Sequence, residues 1–440
     1  MSILKSNMLQ GISIEKTFLP TITPNAICIT GAHNNVSPSC FSLTKDILSR
    51  HMLFIGGTGC GKTNAIFQIV DQIKNNMTSN DVMIIFDTKG DYYSRFFSSS
   101  DMVIANSDIF RNLQQWNIYR EILSDGEELQ YINENISEIS YSFFKEATEK
   151  TQQIFFPNAA RDILESIIKT NIYRGLNNRD YRNLAFYNES LKNQIDNISV
   201  PMLQDAFSST KQPSIMSSLI YLGNGDSDQS LGVLSELQCT MKQLLIGKFA
   251  EKGGFSIKQF VRNKGGRTLF VEYDLSVGQT LTPIYRLLFD LALKESMGRN
   301  RSIGNVYFVV DEFKLLPNLA HIEDAVNFGR GLGVKVIAGI QSVEQLYEVY
   351  GENRGKNIAA GFSSIFAFRT NDKTTREYIS NLYGQNMVLE QYQTSMNTVI
   401  EEKRIGQAVE DWHISGLKIG EAIIGLSNCE PFKFKFNLFR

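Results

Sequence analysis

The stretch His51-Met52-Leu53-Phe54-Ile55-Gly56-Gly57-Thr58-Gly59-Cys60-Gly61-Lys62-Thr63, running on into Ala65-Ile66-Phe67-Gln68-Ile69-Val70, decides the fold. The short apolar run ending at Ile55 predicts a buried strand. The glycines that follow predict a tight loop, and the second apolar run predicts a helix. Gly56-x4-Gly61-Lys62-Thr63 in that setting is a P-loop pattern. Its glycines let backbone N–H groups turn inward around phosphate oxygens at a helix N-terminus. Gly56, Gly57, Thr58, Gly59, Cys60, Gly61, Lys62, Thr63 and Asn64 are therefore the expected nucleotide-binding residues. Lys62 would reach the β- and γ-phosphates, and the Thr63 hydroxyl would ligate Mg²⁺. ATP and Mg²⁺ are the expected ligands.

A P-loop needs acidic partners at a neighbouring strand end, and Val306-Tyr307-Phe308-Val309-Val310-Asp311-Glu312 offers them. A near-continuous apolar run suits a central parallel strand. The acids then emerge at its C-terminal end, where open α/β sheets bind ligands. Asp311 would hold Mg²⁺, and Glu312 would act as general base on the attacking water. The next strand, Val334 to Ile340, ends in Gln341-Ser342. There Gln341 either contacts the γ-phosphate or the water, or lies exposed while Ser342 caps a helix. Arg330, in Gly329-Arg330-Gly331-Leu332-Gly333, has two readings. It is either an arginine finger for a neighbouring subunit or a charge that complements a helix dipole, and the residues alone favour the dipole. Asp87 and Lys89, in Asp87-Thr88-Lys89-Gly90-Asp91, stand at another strand end, either near phosphate or in a solvated loop. His321 and His413 read as surface or packing residues, and Trp116 and Trp412 as core residues rather than base-stacking platforms.

Working outward, strands at Val82 to Phe86 and Met102 to Ala105 alternate with helical segments, which predicts a parallel sheet. Alternation resumes with Thr268 to Tyr273 and continues to Ile365 to Arg369. Glu421 to Leu426 and Phe432 to Leu438 read as a hairpin. Between these halves, segments such as Glu127 to Phe144 and Ala159 to Tyr173 carry apolar residues at helical spacing. The expectation is one α/β nucleotide-binding domain, residues 1–110 and 262–440, interrupted by an all-α domain at 111–261. Arg111 to Lys258 holds 15 basic and 18 acidic residues, so the insertion is no basic clamp.

The whole chain of 440 residues has 44 Lys plus Arg against 46 Asp plus Glu, a formal charge of -2. That excludes a histone-like coat, though not a locally basic channel. Five scattered cysteines without a CxxC pair argue for reduced thiols, and four histidines carry no metal-ligand spacing. No window of about 18 uninterrupted apolar residues predicts a membrane span.

Together these segments resemble one family, the TraG/TraD-like type IV coupling proteins of the FtsK–HerA class. The resemblance rests on His51 to Thr63, Phe86 to Asp91, Val310-Asp311-Glu312-Phe313-Lys314-Leu315-Leu316-Pro317, Gly329 to Gly333 and Ile340 to Gly351. Trp116-Asn117 is similar to the family's junction into its helical domain, and Phe255 to Lys294 to its return. The resemblance implies a RecA-like P-loop ATPase, an α/β sheet split by an all-α domain. It also implies a homo-hexameric ring with single-stranded DNA through its centre, relaxase–DNA as cargo and a membrane secretion channel as docking partner. Lys62 and Thr63 fall on Walker A, Asp311 and Glu312 on Walker B, Gln341 on the sensor glutamine and Arg330 on the trans-acting arginine.

Familiar members begin with transmembrane helices, which are not found here. The expected location is therefore cytoplasmic or peripheral at the inner face of the cell membrane, with a separate protein as anchor. Met1 reads as a natural start, which makes a removed anchor the weaker explanation. The alternatives are a soluble HerA-like motor in DNA processing or phage defence, and a protein-export ATPase that moves no DNA.

Overall fold

The computed structural model describes residues 2–14, 17–24, 26–223, 225, 227–298, 303–393 and 398–439, so Met1 lies outside the described residues. The strands, in chain order, are β1 (Ser2–Gln10), β2 (Ile27–His33), β3 (Val36–Leu43), β4 (Met52–Ile55) and β5 (Val82–Asp87). They continue with β6 (Met102–Ile104), β7 (Arg267–Glu272), β8 (Val306–Val310), β9 (Val334–Ile340) and β10 (Ser364–Phe368). The last four are β11 (Gln385–Gln393), β12 (Val399–Gln407), β13 (Glu421–Gly425) and β14 (Phe432–Phe436). The described chain divides into two compact units, residues 1–86 with 303–440, and residues 87–302.

The first unit is built on strands in the order β3-β2-β14-β13-β10-β4-β9-β8-β5. The segment from β10 to β5 is parallel, with Phe366 opposite Phe54, Ile55 opposite Ile340 and Val310 opposite both Ala338 and Phe86. β4, β8, β9 and β10 are buried at every position, which is what long apolar runs in a covered parallel sheet require. Phe54 and Phe366, on paired strands, stack with ring centroids 4.4 Å apart. The order decides the site. β9 lies between the strand that leads into the glycine loop and the strand that ends in Asp311-Glu312. β13 and β14 form the expected hairpin and pair antiparallel.

Five strands of this unit, β1, β2, β3, β11 and β12, have no counterpart in the sequence reading. β12 is exposed along nearly its whole length and β11 alternates only weakly. Such strands are held by pairing in the sheet β1-β11-β12, and without a buried face they leave little hydrophobic signature.

The second unit carries the parallel pair β6 and β7 and a helical region. Its long helices are Leu129–Lys150, Phe155–Asn177 and Asp228–Leu244. Entry and exit of the helical segment are pinned side by side. Trp116 bridges to Phe255, and the Asn117 N–H donates to the Phe255 carbonyl at 3.0 Å. Asn117 also caps helix Ile118–Ile122 through its Oδ1, while its Nδ2 donates to the Gly253 carbonyl at 2.8 Å. Glu121, fully buried, accepts from Trp116 Nε1 at 3.0 Å and Ser256 Oγ at 2.8 Å. Trp116 is thus core, as expected, but Trp412 is 57% exposed beneath the Arg404 guanidinium and is not.

This unit extends past the expected 111–261 at both ends. Helix Gly278–Met297 is buried over most of its length. It joins the helical region through Arg286 to the Ser142 carbonyl (2.8 Å), Lys294 to Glu138 (2.7 Å) and Arg262 to Glu295 (2.7 Å). Among the described residues no helix is long and apolar enough to cross a membrane.

Candidate functional site: a glycine loop facing two acidic residues

The loop between β4 and helix Lys62–Asn76 is shaped by its glycines. Gly59 has φ +74° and Gly61, the helix N-cap, has φ +108°. A side chain at Gly61 would meet that strained angle and the backbone of Gly420 at 3.0 Å. The loop is tied to the strands on either side of β4. The Gly56 N–H donates to the Ile340 carbonyl (3.2 Å), and the Gly57 N–H to the Arg369 carbonyl (2.9 Å). Lys62 is folded into the loop, its ammonium donating to the carbonyls of Gly56 (2.6 Å) and Gly57 (3.2 Å). Burial pushes the Cys60 thiol up, which keeps it neutral and unreactive.

Thr63 and Asp311 are 248 residues apart in sequence, yet Thr63 Oγ1 donates to Asp311 Oδ2 at 2.6 Å. A hydroxyl and a carboxylate converging at a helix N-terminus form the oxygen donor set that Mg²⁺ prefers. One strand over, Gln341 Nε2 contacts both Glu312 oxygens, at 3.3 and 3.4 Å. The Gln341 N–H donates to Gln345 Oε1 at 3.0 Å. The helix Glu344–Tyr350 has no side-chain cap, so Ser342 does not play the capping role that was the alternative for this strand end.

Gly339 was missed by the sequence reading. A Cβ there would lie 2.1 Å from the Asp311 carbonyl and 2.9 Å from its Oδ1. The bare backbone of β9 makes room for the acidic end of β8. A lone glycine inside an apolar strand was the available signal.

Arg330 sits in a short helical turn, Gly329–Leu332, and donates to Asp46 Oδ1 at 2.6 Å. Arg50 also donates to Asp46, at 3.0 Å, and these two guanidiniums hold the Asp46 carboxyl below its usual range, Arg50 most strongly. Arg330 is half exposed and precedes the start of β9, whereas Gln341 follows the opposite end of that strand. The Asn64 side chain is committed elsewhere: Nδ2 donates to the Asn437 carbonyl (2.8 Å), and Oδ1 accepts from the Phe439 N–H (2.7 Å).

Asp87 and Lys89 belong to the second unit. Asp87 is buried and accepts from the N–H groups of Lys89 (3.2 Å), Tyr92 (2.8 Å) and Tyr93 (2.9 Å), holding the start of helix Asp91–Phe96. Burial pushes its carboxyl up despite those bonds. Lys89 is exposed. The turn-forming role accounts for Asp87 without a ligand.

The type IV secretion-system coupling protein DNA-binding domain family matches residues 37–413. The coupling protein TraD of Escherichia coli K12 is 19% identical over 392 residues, which cover 86% of this chain and 50% of TraD. The conjugal transfer protein TraG of Agrobacterium fabrum is 30% identical over 136 residues, 30% of this chain and 20% of TraG. The chain thus spans about half of TraD and a fifth of TraG. Among solved structures, the bacterial conjugative coupling protein TrwBdeltaN70 superposes with a TM-score of 0.71 at 20% identity, covering 100% of this chain and 94% of that one. A structure of the plasmid coupling protein TrwB in complex with ADP and Mg²⁺ gives 0.67 at 19% identity, covering 100% and 94%. The fold is therefore the RecA-like α/β fold of TrwB, with its helical region inserted. With a family match that runs across most of its length, this chain belongs to the type IV secretion-system coupling protein DNA-binding domain family.

Proposed function

We propose that this protein is an ATP-driven motor of conjugative transfer, coupling hydrolysis to movement of single-stranded DNA or a relaxase–DNA substrate. The contact between Thr63 Oγ1 and Asp311 Oδ2 carries this reading, because it unites the two residues that would hold Mg²⁺ on a nucleotide. Mg²⁺ there would neutralise charge on the β- and γ-phosphates. The loop amides and Lys62 would bind the phosphates, the ammonium exchanging its contacts to Gly56 and Gly57 for phosphate oxygens. Glu312 would take the proton of the attacking water, and Gln341, already on the Glu312 carboxylate, would orient that water. The family's DNA-binding description and the conjugation proteins among the relatives support the cargo assignment.

Arg330 rests on Asp46 at the end of β9 opposite Gln341, which fits a role completing the site of a neighbour in a homo-hexamer. The helical segment 111–261 would be the domain that meets secretion substrates. Docking on a secretion channel at the inner face of the membrane would place the motor where its cargo leaves the cell.

The test is the ATPase rate with and without single-stranded DNA, at two salt concentrations, with native mass for the oligomer. Stimulation by DNA that weakens as salt rises is expected. Glu312→Gln should retain ATP binding while turnover falls by about 10²–10⁴-fold. A rate that DNA leaves unchanged at both salt concentrations would refute the motor.

A further inference from the structure

Away from the phosphate loop, at the N-terminal ends of β5, β8 and β9, the first unit holds a cavity of about 430 Å³. One part of its wall is apolar, with Ile27 and Leu43 from β2 and β3, Leu48 from helix Lys45–Leu48 and Ile73 from the last turns of helix Lys62–Asn76, while Asn76, Thr78, Asp81 and Asn305 make the rest polar. Two cations line it. Lys45 is exposed at the rim, whereas Lys335, on β9, is only 7% exposed. The Lys335 ammonium lies 5.9 Å from the centre of the Tyr307 ring. Among the described residues it makes no ion pair.

The one carboxylate among the lining residues is Asp81, and its oxygens are already taken by neutral donors. Oδ2 accepts from Thr78 N–H (2.9 Å) and Oγ1 (2.8 Å), and Oδ1 from Asn305 N–H (2.9 Å) and Nδ2 (2.7 Å). A carboxylate has about four lone-pair sites, so Asp81 has no acceptor left for either lysine. A buried ammonium without hydrogen-bonded compensation is unfavourable, and here the space beside it is large enough for a ligand. Burial accordingly lowers the Lys335 ammonium, with Asp81 opposing the shift from a distance.

We propose that this cavity is an effector site for a small organic anion with an apolar body. The head group would sit on Lys335 and Lys45, and the hydrocarbon would lie against Leu48, Ile73 and Tyr307. Occupancy would act on Arg330 from two sides, a consequence that rests on the role proposed above for that arginine. The helix that carries Lys45 also carries Asp46, the partner of Arg330. Lys335 follows closely on Gly333, which ends the turn holding Arg330. Drawing the two lysines onto one anion would shift both halves of the Arg330–Asp46 contact.

The test uses the full chain without nucleotide and 8-anilinonaphthalene-1-sulfonate as probe, read by fluorescence and by calorimetric stoichiometry. One saturable site per chain is expected, displaced by octanoate. The uncharged analogue N-phenyl-1-naphthylamine should bind at least about tenfold more weakly, and Lys335→Met should weaken the anion by a similar factor. Lys45→Ala, at the exposed rim, should weaken it by about threefold. Equal binding of the anion by wild type and Lys335→Met would overturn the site. So would equal binding of charged and uncharged probes by wild type, a comparison that stands even if Lys335→Met fails to fold. Because binding is read without ATP, loss of the ATPase reading leaves this result intact. An ATPase rate that saturating octanoate does not change would overturn the link to Arg330.

Discussion

Gly339→Ala is the sharpest perturbation that the site offers. The new Cβ would stand 2.1 Å from the Asp311 carbonyl oxygen, at least about 1 Å short of ordinary contact. The Cβ is fixed directly to the β9 backbone and the oxygen is main chain at the end of β8, so no flexible side chain can swing aside. β8 and β9 must part where Val310 pairs with Ala338. A shift of about 1 Å stretches the 2.6 Å contact between Thr63 and Asp311 beyond hydrogen-bonding range. Overpacking of this kind destabilises by about 1–3 kcal/mol. Misplacing a binding group by about 1 Å reduces function by roughly 10²-fold. The expected result is a folded variant whose nucleotide affinity with Mg²⁺ falls about 100-fold, while its Mg²⁺-free affinity stays within about threefold. Fluorescent-nucleotide titration with and without Mg²⁺ reads this, beside a urea melt. Thr63→Val removes the hydroxyl without touching the strand pair and should show the same selective loss. Wild-type Mg²⁺-dependent affinity in a folded Gly339→Ala protein would refute the proposed role of that strand junction.

Two further outcomes follow from basic side chains in the first unit. His51 is 1% exposed, its Nδ1 accepts from the Val336 N–H at 3.1 Å, and burial, with Lys335 and Arg330 nearby, lowers its pKa to about 4. Its folded value lies below the unfolded 6.5, so the unfolded chain binds the extra proton first and stability is lost as pH falls. Between pH 7.5 and 4.5 the loss from this group is about 2.5 kcal/mol. His51→Asn keeps an acceptor at a residue whose φ is +55°, and it should flatten that part of the acid limb in urea melts. Identical pH slopes for the two proteins would contradict the buried neutral histidine. Arg330→Ala should leave ATP affinity within about twofold but remove DNA-stimulated turnover, and mixing it with Glu312→Gln subunits should restore part of the rate. Absence of restoration at every mixing ratio would exclude action in trans.

The parts of this protein legible in its sequence are those where local chemistry is self-contained. A strand, a glycine loop and a helix announce a phosphate cradle, because only glycines adopt its backbone angles and only an apolar run fills a covered parallel strand. Asp311 and Glu312 were legible for the same reason, at the end of such a run. The inserted helices announced themselves through apolar spacing, although their unit reaches into residues expected elsewhere, since helix Gly278–Met297 also buries itself there. The exposed strands β11 and β12 left no such mark.

What only the tertiary structure decided was adjacency. Nothing in the order of residues says that β9 lies between β4 and β8, that Gln341 therefore meets Glu312, or that Gly339 leaves space for Asp311. Nor does it say that Asn64 holds the C-terminal segment, or that Arg330 rests on Asp46. Residue type and spacing report the preference of each segment for burial and for backbone angle. Which segments become neighbours is settled by sheet pairing across hundreds of residues, where the energy lies in contacts that neither partner encodes alone.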